Sequence, residues 1–427
     1  MWYVRCAGWT VLAVSLWGAV AIGFFGWGVV CRFVLHLPQV TRLRRTNTCL
    51  LGVCGTLFAL QLAHCAVALD AWILVLWCLL GLGGAAIAVH CIQPRLRRTD
   101  KRMVGAYAAL VGSLLYVAWG AMTQVPQTDP YHFIAIRCER EYPVITGLAN
   151  LDGRLGFNNA SFLLHSLFSN LLDEFGLTFF HGALFLILAC CAFHAAVRST
   201  GKRRVTVADA CDILMIGPLI IIGMDYRDTL PVANVSADLT LFLLQTALVR
   251  SWVAGMHAVA RGTPGPLSTE QLALASLLAV ACACTKLSSA VFSAALICAS
   301  VCYVWAGGGD RGNCGTVAWK RIFVASAGCA VIWAGRGIVL SGYPLYPSSL
   351  AAIPVEWRLP EQVRAEELEM ITETARYMGP SPGAGAPWFS NWGRRFCDVS
   401  WFNSRRFSTL GKSLLPLCLI VAGSVGW

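Results

Sequence analysis

LSTEQLALASLLAVACACTKLSSAVFSAALICASVCYVWA, residues 267–306, decides how the chain is threaded. The run is mostly apolar and too long for one membrane crossing, which takes about 20 residues. Lys286 interrupts it near the middle. The run therefore reads as two short spans joined by a turn at Lys286. A single span holding Lys286 would exchange the sides of everything that follows.

Basic residues in short loops choose between these readings, because they collect on the cytoplasmic side. Arg42, Arg44 and Arg45 follow an apolar run at 10–30. Arg95, Arg97, Arg98, Lys101 and Arg102 follow a pair of runs, 49–69 and 71–91, divided by Asp70. Arg198, Lys202, Arg203 and Arg204 follow 177–197, and Arg311, Lys320 and Arg321 follow the opening stretch. All four clusters share one side only if the Lys286 hairpin counts as two spans. The N-terminus and two long loops, 123–176 and 341–408, are then outside.

Composition agrees with a membrane class. The chain is 57% hydrophobic and 13% charged, against about 25% charged in soluble domains. Further runs at 103–122, 208–224, 239–258, 322–340 and 410–427 bring the count to about eleven spans of the required length. The expected fold is all-α and polytopic, with two large extracytoplasmic loops. Its parts are a three-span region (1–102), a membrane core (103–340), the second outer loop (341–408) and a last span (409–427) inside which the sequence stops. The first run is too long for a signal-peptide core and a basic stop follows it.

The net charge is +11. Much of it lies in the topology-setting loops, so it does not point to nucleic acid. The 19 cysteines are mostly scattered singly in apolar runs, where a thiol acts as a small hydrophobe. None forms a zinc-like pair. A Cys138–Cys397 disulfide is the alternative to two free thiols, and its demanding geometry favours the thiols.

The first outer loop includes TDPYHFIAIRCEREYP, residues 128–143, which places six ionisable groups in sixteen residues of an apolar neighbourhood. Asp129 and His132 would share a helix face. Asp129 suits a general base just outside a span end, or else a cap or a partner of Arg137. Arg137, Arg140 and Arg154 suit bidentate phosphate binding, or pairing with Glu139, Glu141 and Asp152. Asn150, Asp152, Arg154, Asn158 and Asn159 follow in an amphipathic stretch that would lie along the interface. Lys286 would meet lipid phosphate at headgroup level, or anchor a span end by snorkelling. Asp225, Arg227, Asp228 and Asp238 read as a solvated loop rather than a second acidic contact. Tyr343, in SGYPLYP at 341–347, would stack on a sugar or serve as an interface anchor.

DPYH at 129–132, YPVITGLANLDGRLGFNNASF at 142–162, TKLS at 285–288 and SGYPLYP together resemble a little-characterised family of bacterial polytopic membrane proteins. That family is similar to the GT-C glycosyltransferases, which use polyprenyl-phosphate sugars. The match covers about 103–377. The resemblance implies a cavity at the outer leaflet, Asp129 as catalytic base, and Thr285-Lys286 against the lipid phosphate. It implies transfer of a sugar from a lipid-linked donor to a hydroxyl on a glycan or lipid acceptor. The site would face outward from the bacterial cytoplasmic membrane and serve cell-surface glycan synthesis. Tyr131, His132, Arg137, Arg140, Asn150, Arg154, Asn158, Lys286 and Tyr343 are the candidate substrate contacts. Asp129 and His132 are ligands hard enough for a divalent cation, though no complete metal site is visible. The sequence departs from the GT-C pattern in its three leading spans and in having Pro130 where a second acid is usual. Two alternatives remain open. One is a polysaccharide polymerase or ligase, relying on Arg and His. The other is a lipid-linked sugar transporter.

Overall fold

The structure is a computed structural model and describes residues 2–37, 45–91, 101–123, 130–199, 205–216, 219, 232, 234–260, 266–306 and 313–377. Every element among them is helical. The chain divides into two compact units. The larger comprises Met1–Ile145 and Asn158–Arg336; the smaller joins Thr146–Phe157 to the described residues from Gly337 onward.

The larger unit contains α1 (Trp2–Val34), α2 (Arg45–His64), α3 (Ala71–Cys91), α4 (Lys101–Thr123), α5 (Pro130–Glu141), α6 (Ala160–Leu172), α7 (Phe179–Ser199), α8 (Val207–Leu214), α9 (Ala237–Ala260), α10 (Pro266–Thr285) and α11 (Ala290–Ala306). α12 (Asn313–Ser341) belongs to it through Arg336. Six helices are long and apolar enough to cross a membrane: Ala7–Val34, Arg45–His64, Ala71–His90, Gly176–Ser199, Ala237–His257 and Lys320–Ser341. Several carry large apolar side chains on their outer faces, among them Trp72, Leu79, Phe323, Val324 and Val331. Such surfaces suit hydrocarbon rather than water.

The other expected spans differ for identifiable reasons. The apolar part of α4 is only Leu110–Gly120. The two halves of the Lys286 hairpin are short apolar helices, Glu270–Thr285 and Leu287–Ser300. Only α8 represents the start of 208–224, and 410–427 lies outside the described residues. The helix expected over 49–69 stops at His64, because the chain turns there and the Leu69 N–H goes to the Glu139 carbonyl, 3.0 Å away.

Local chemistry sets the element ends. Asp70 caps α3: its carboxylate accepts from the N–H groups of Trp72 (3.0 Å) and Ile73 (3.3 Å). Pro130 opens α5, where a missing N–H costs nothing. At Lys286 the backbone is extended, with φ −149° and ψ 116°. Thr285 and Ser289 turn their hydroxyls back onto the Ala281 and Lys286 carbonyls. Hydroxyls that bond nearby carbonyls compete with a continuous helix.

Glycine lets α1 meet its neighbours backbone to backbone. A Cβ on Gly26 would strike the Gly81 carbonyl of α3, and one on Gly28 would strike the Thr48 carbonyl of α2. Gly52 of α2 stands likewise against the Phe24 carbonyl. Small residues at such crossings are how apolar helices gain contact where lipid competes for the same faces. Phe24, Trp77 and Phe168 fill the space beside this seam, edge to face at 5.1–5.9 Å between ring centres.

α6, which follows the stretch expected along the interface, is enclosed by protein. Ala160 through Ser169 are buried throughout. Most of its polar groups meet backbone: Ser166 donates to the Ile136 carbonyl, Asn170 to that of Leu69, and His165 Nδ1 lies 2.7 Å from the Leu177 carbonyl, while His165 Nε2 is buried without a partner among the described residues. Polar side chains satisfied this way can enter a core.

The smaller unit has two short 3₁₀ turns, Leu148–Asn150 and Gly153–Phe157, and α13 (Glu361–Tyr377). Its core is Ala149, Tyr343, Tyr346 and Leu359. Gly342, at φ 81°, ends α12 in the left-handed conformation that favours glycine.

Candidate functional site

Two buried polar clusters mark opposite ends of α2. At its N-terminal end, Arg32 of α1 donates from Nε to Thr48 Oγ1 (2.8 Å) and from both terminal nitrogens to the Glu270 carboxylate of α10. Asn47 donates to Glu270 at 3.2 Å and accepts from Arg250 of α9 at 2.7 Å. Arg250 is also paired with Asp212 of α8. Four charges cancel here and their hydrogen-bonding groups interlock.

The cluster at the C-terminal end of α2 is less complete. Glu139 of α5 sits 3.1 Å from Arg336 Nη2 of α12, and that same nitrogen lies 3.3 Å from His64 Nδ1. His64 Nε2 is 3.1 Å from the Tyr142 carbonyl, and the His64 carbonyl accepts from the Val144 N–H. Arg336 is 1% exposed. Its Nε and Nη1, and Glu139 Oε2, have no hydrogen-bonding partner among the described residues. Burial pushes the Glu139 carboxyl up to about 8, against the opposing pull of Arg336.

The expected site residues fall around this end and in the smaller unit. Asp129, and with it Asp225, Arg227, Asp228 and Cys397, lies outside the described residues. His132 is buried, with Tyr131 and Phe162 rings 4.2 and 5.2 Å from its own. Arg137 is exposed and bonds Glu141 one turn on, at 2.8 Å; Arg140 is 3.8 Å from the same carboxylate. Pairing within α5 therefore accounts for Arg137. Lys286 bonds Asp238 of α9 at 2.5 Å, with both side chains largely open to solvent. Asn158, at φ 39°, exchanges hydrogen bonds with Trp333: its amide donates to the Trp333 carbonyl (2.6 Å), and the indole donates back to its own carbonyl (2.8 Å). Its side-chain oxygen is buried without a partner among the described residues.

In the smaller unit Asn150 is a brace. Its amide donates to the carbonyls of Gly147 (3.1 Å) and Trp357 (2.8 Å). Arg154 Nη2 reaches Met370 Sδ of α13 at 3.4 Å. Tyr343 is a core residue and not a surface ring. Its hydroxyl lies 3.1 Å from both the Leu359 carbonyl and a Glu361 carboxylate oxygen, and the Arg364 guanidinium stands over its ring at 5.9 Å. Arg364 also holds the exposed Glu361 carboxyl below the usual carboxylate range.

Arg336 and His64 are the residues sequence reasoning missed. His64 sits inside an apolar run, and Arg336 four residues before the end of another, where an arginine reads as a snorkelling anchor. The available signal was an ionisable residue within a span, which marks function or a buried partner. No group of three or more metal-binding side chains occurs among the described residues. The family described as "Domain of unknown function (DUF8201)" matches residues 11–421. The chain belongs to that family. No curated protein and no solved structure matches this DUF8201 member.

Proposed function

We propose that this DUF8201 protein is a membrane glycosyltransferase of GT-C type. It would move a sugar from a polyprenyl-phosphate donor to an acceptor hydroxyl on the outer face of a bacterial cytoplasmic membrane. The roughly eleven-span topology and the outward orientation belong to this proposal. The observation that supports it is that α5 and the residues leading to the Lys286 turn both approach the buried Arg336. Glu139 of α5 pairs with Arg336, and Arg336 lies within electrostatic reach of Cys284, two residues before Lys286.

In this reading Asp129 takes the acceptor proton, and Lys286 or Arg140 stabilises the departing lipid phosphate. Lys286 and Asp238 are 43% and 60% exposed, so their pair is worth little and a phosphate could replace the carboxylate. The test uses membranes and a radiolabelled polyprenyl-phosphate sugar. Asp129→Asn abolishes transfer, and Lys286→Ala and Arg140→Ala reduce it. Full transfer by Asp129→Asn refutes the mechanism, and label that crosses without transfer makes the protein a transporter. One observation favours a second reading, a polysaccharide polymerase or ligase: the Arg336–His64 contact supplies the Arg and His on which such enzymes rely.

A further inference from the structure

Four arginines are buried among the described residues: Arg32, Arg250, Arg336 and Arg364. A guanidinium carries five N–H donors in a planar fork and never loses its charge inside a protein. Arg32 engages Nε, Nη1 and Nη2. Arg250 does the same with Asp212, Asn47 and Cys191. Arg364 does so with Glu361 and the Pro347 carbonyl. Arg336 engages Nη2 alone and is the most enclosed of the four.

Leaving charged donors unmet in a buried place carries the full desolvation penalty. Glu139 does not relieve it. Its carboxylate meets Arg336 through one oxygen, while the other is buried and unmatched among the described residues. Arg32 shows how the same two residue types close when the pair is purely structural: Glu270 takes both terminal nitrogens. The Arg336 cluster is built as half of a two-pronged contact. A tetrahedral oxyanion accepts from such a fork with two oxygens at once.

We infer that Arg336, with Glu139 beside it, is a buried binding site for a phosphate-type oxyanion. The ligand occupies the Nε and Nη1 side of the guanidinium. Glu139 competes with it as a carboxylate and becomes a donor to it when protonated. The raised affinity of Glu139 for its proton agrees with that double role. The ligand is either the phosphate of a lipid or a free phosphate. Binding is read without turnover, so the inference stands or falls separately from sugar transfer.

The experiment uses the full chain purified in detergent, with inorganic phosphate, farnesyl phosphate and uncharged farnesol as probes. Affinity is measured from the rise in thermal midpoint with probe concentration. Farnesyl phosphate is expected to stabilise the wild type and farnesol is not. A response to inorganic phosphate as well assigns the site to the free anion. Arg336→Lys keeps the charge and loses the fork, and is expected to weaken binding about tenfold or more. At pH 9, where Glu139 is ionised, Glu139→Gln removes the competing charge, and is expected to tighten binding about tenfold. The inference is overturned if neither anion stabilises the wild type, in which case water alone meets the buried donors. It is equally overturned if Arg336→Lys binds as well as wild type. Should Arg336→Lys fail to fold, unchanged or weaker binding by Glu139→Gln overturns it.

Discussion

Replacing Arg32 with methionine should destabilise the protein by about 3–5 kcal/mol, the usual cost of removing one partner from a buried ion pair. The structure fixes why the upper range applies. Arg32 and Glu270 are 3% and 2% exposed, so neither charge is hydrated in compensation. Methionine keeps most of the apolar stem and removes the fork. Glu270 then retains Asn47 at 3.2 Å and loses both guanidinium contacts. Arg32→Met with Glu270→Gln removes the stranded charge as well. That double variant should lie within about 1–2 kcal/mol of wild type, the worth of the neutral hydrogen bonds lost. Unfolding by SDS in mixed micelles, followed by tryptophan fluorescence, measures all three proteins. A cost below about 1 kcal/mol for Arg32→Met, or a double variant no more stable than the single, would refute the reasoning. Either result would mean that water reaches Glu270.

Glu139 sets a pH dependence. Its folded pKa of about 8 lies above the ordinary 4.5, so the folded state holds this proton more tightly than the unfolded. The stability it contributes is complete below pH 4.5 and is lost as pH rises through 8, at about 1.4 kcal/mol per unit in between. Glu139→Gln should flatten that slope; an unchanged slope places its source elsewhere. Gly26→Ala should cost about 1–3 kcal/mol by forcing α1 from α3. Gly18→Ala on the same helix, with nothing within 4 Å of the added atom, should be neutral or stabilising by up to about 1 kcal/mol; equal effects in the same unfolding assay would sink the seam. Asn150→Ala loses hydrogen bonds to Gly147 and Trp357, and should loosen residues 146–157 by about 1–2 kcal/mol. Amide hydrogen exchange confined to those residues is the check.

The helices were readable because their composition forces them. The apolar runs at 10–30, 71–91 and 239–258 are helices in the structure, and the chain breaks at Lys286 as its position suggested. Arg137 has the Glu141 partner that its spacing allows. Long-range pairing was not readable. Nothing near Arg336 in sequence announces Glu139, 197 residues away, or His64, 272 residues away. Tyr343 read as a sugar platform or an interface anchor because aromatic residues in a loop have the same composition whether they face outward or fill a small core. α6 looked amphipathic because its serines, histidine and asparagine are polar by type; which carbonyls would absorb them depends on the neighbouring chain.

The glycine seam also restricts traffic. Where a methyl group on α1 would strike the backbone of α2 or α3, a hydrocarbon chain has no room either. At those levels α1, α2 and α3 form a closed wall. If the anion proposed for Arg336 is lipid-borne, it cannot slip sideways between α1 and either neighbour. It has to enter through another flank of the helices or over their ends, so the search for a lateral doorway belongs among the helices beyond this wall.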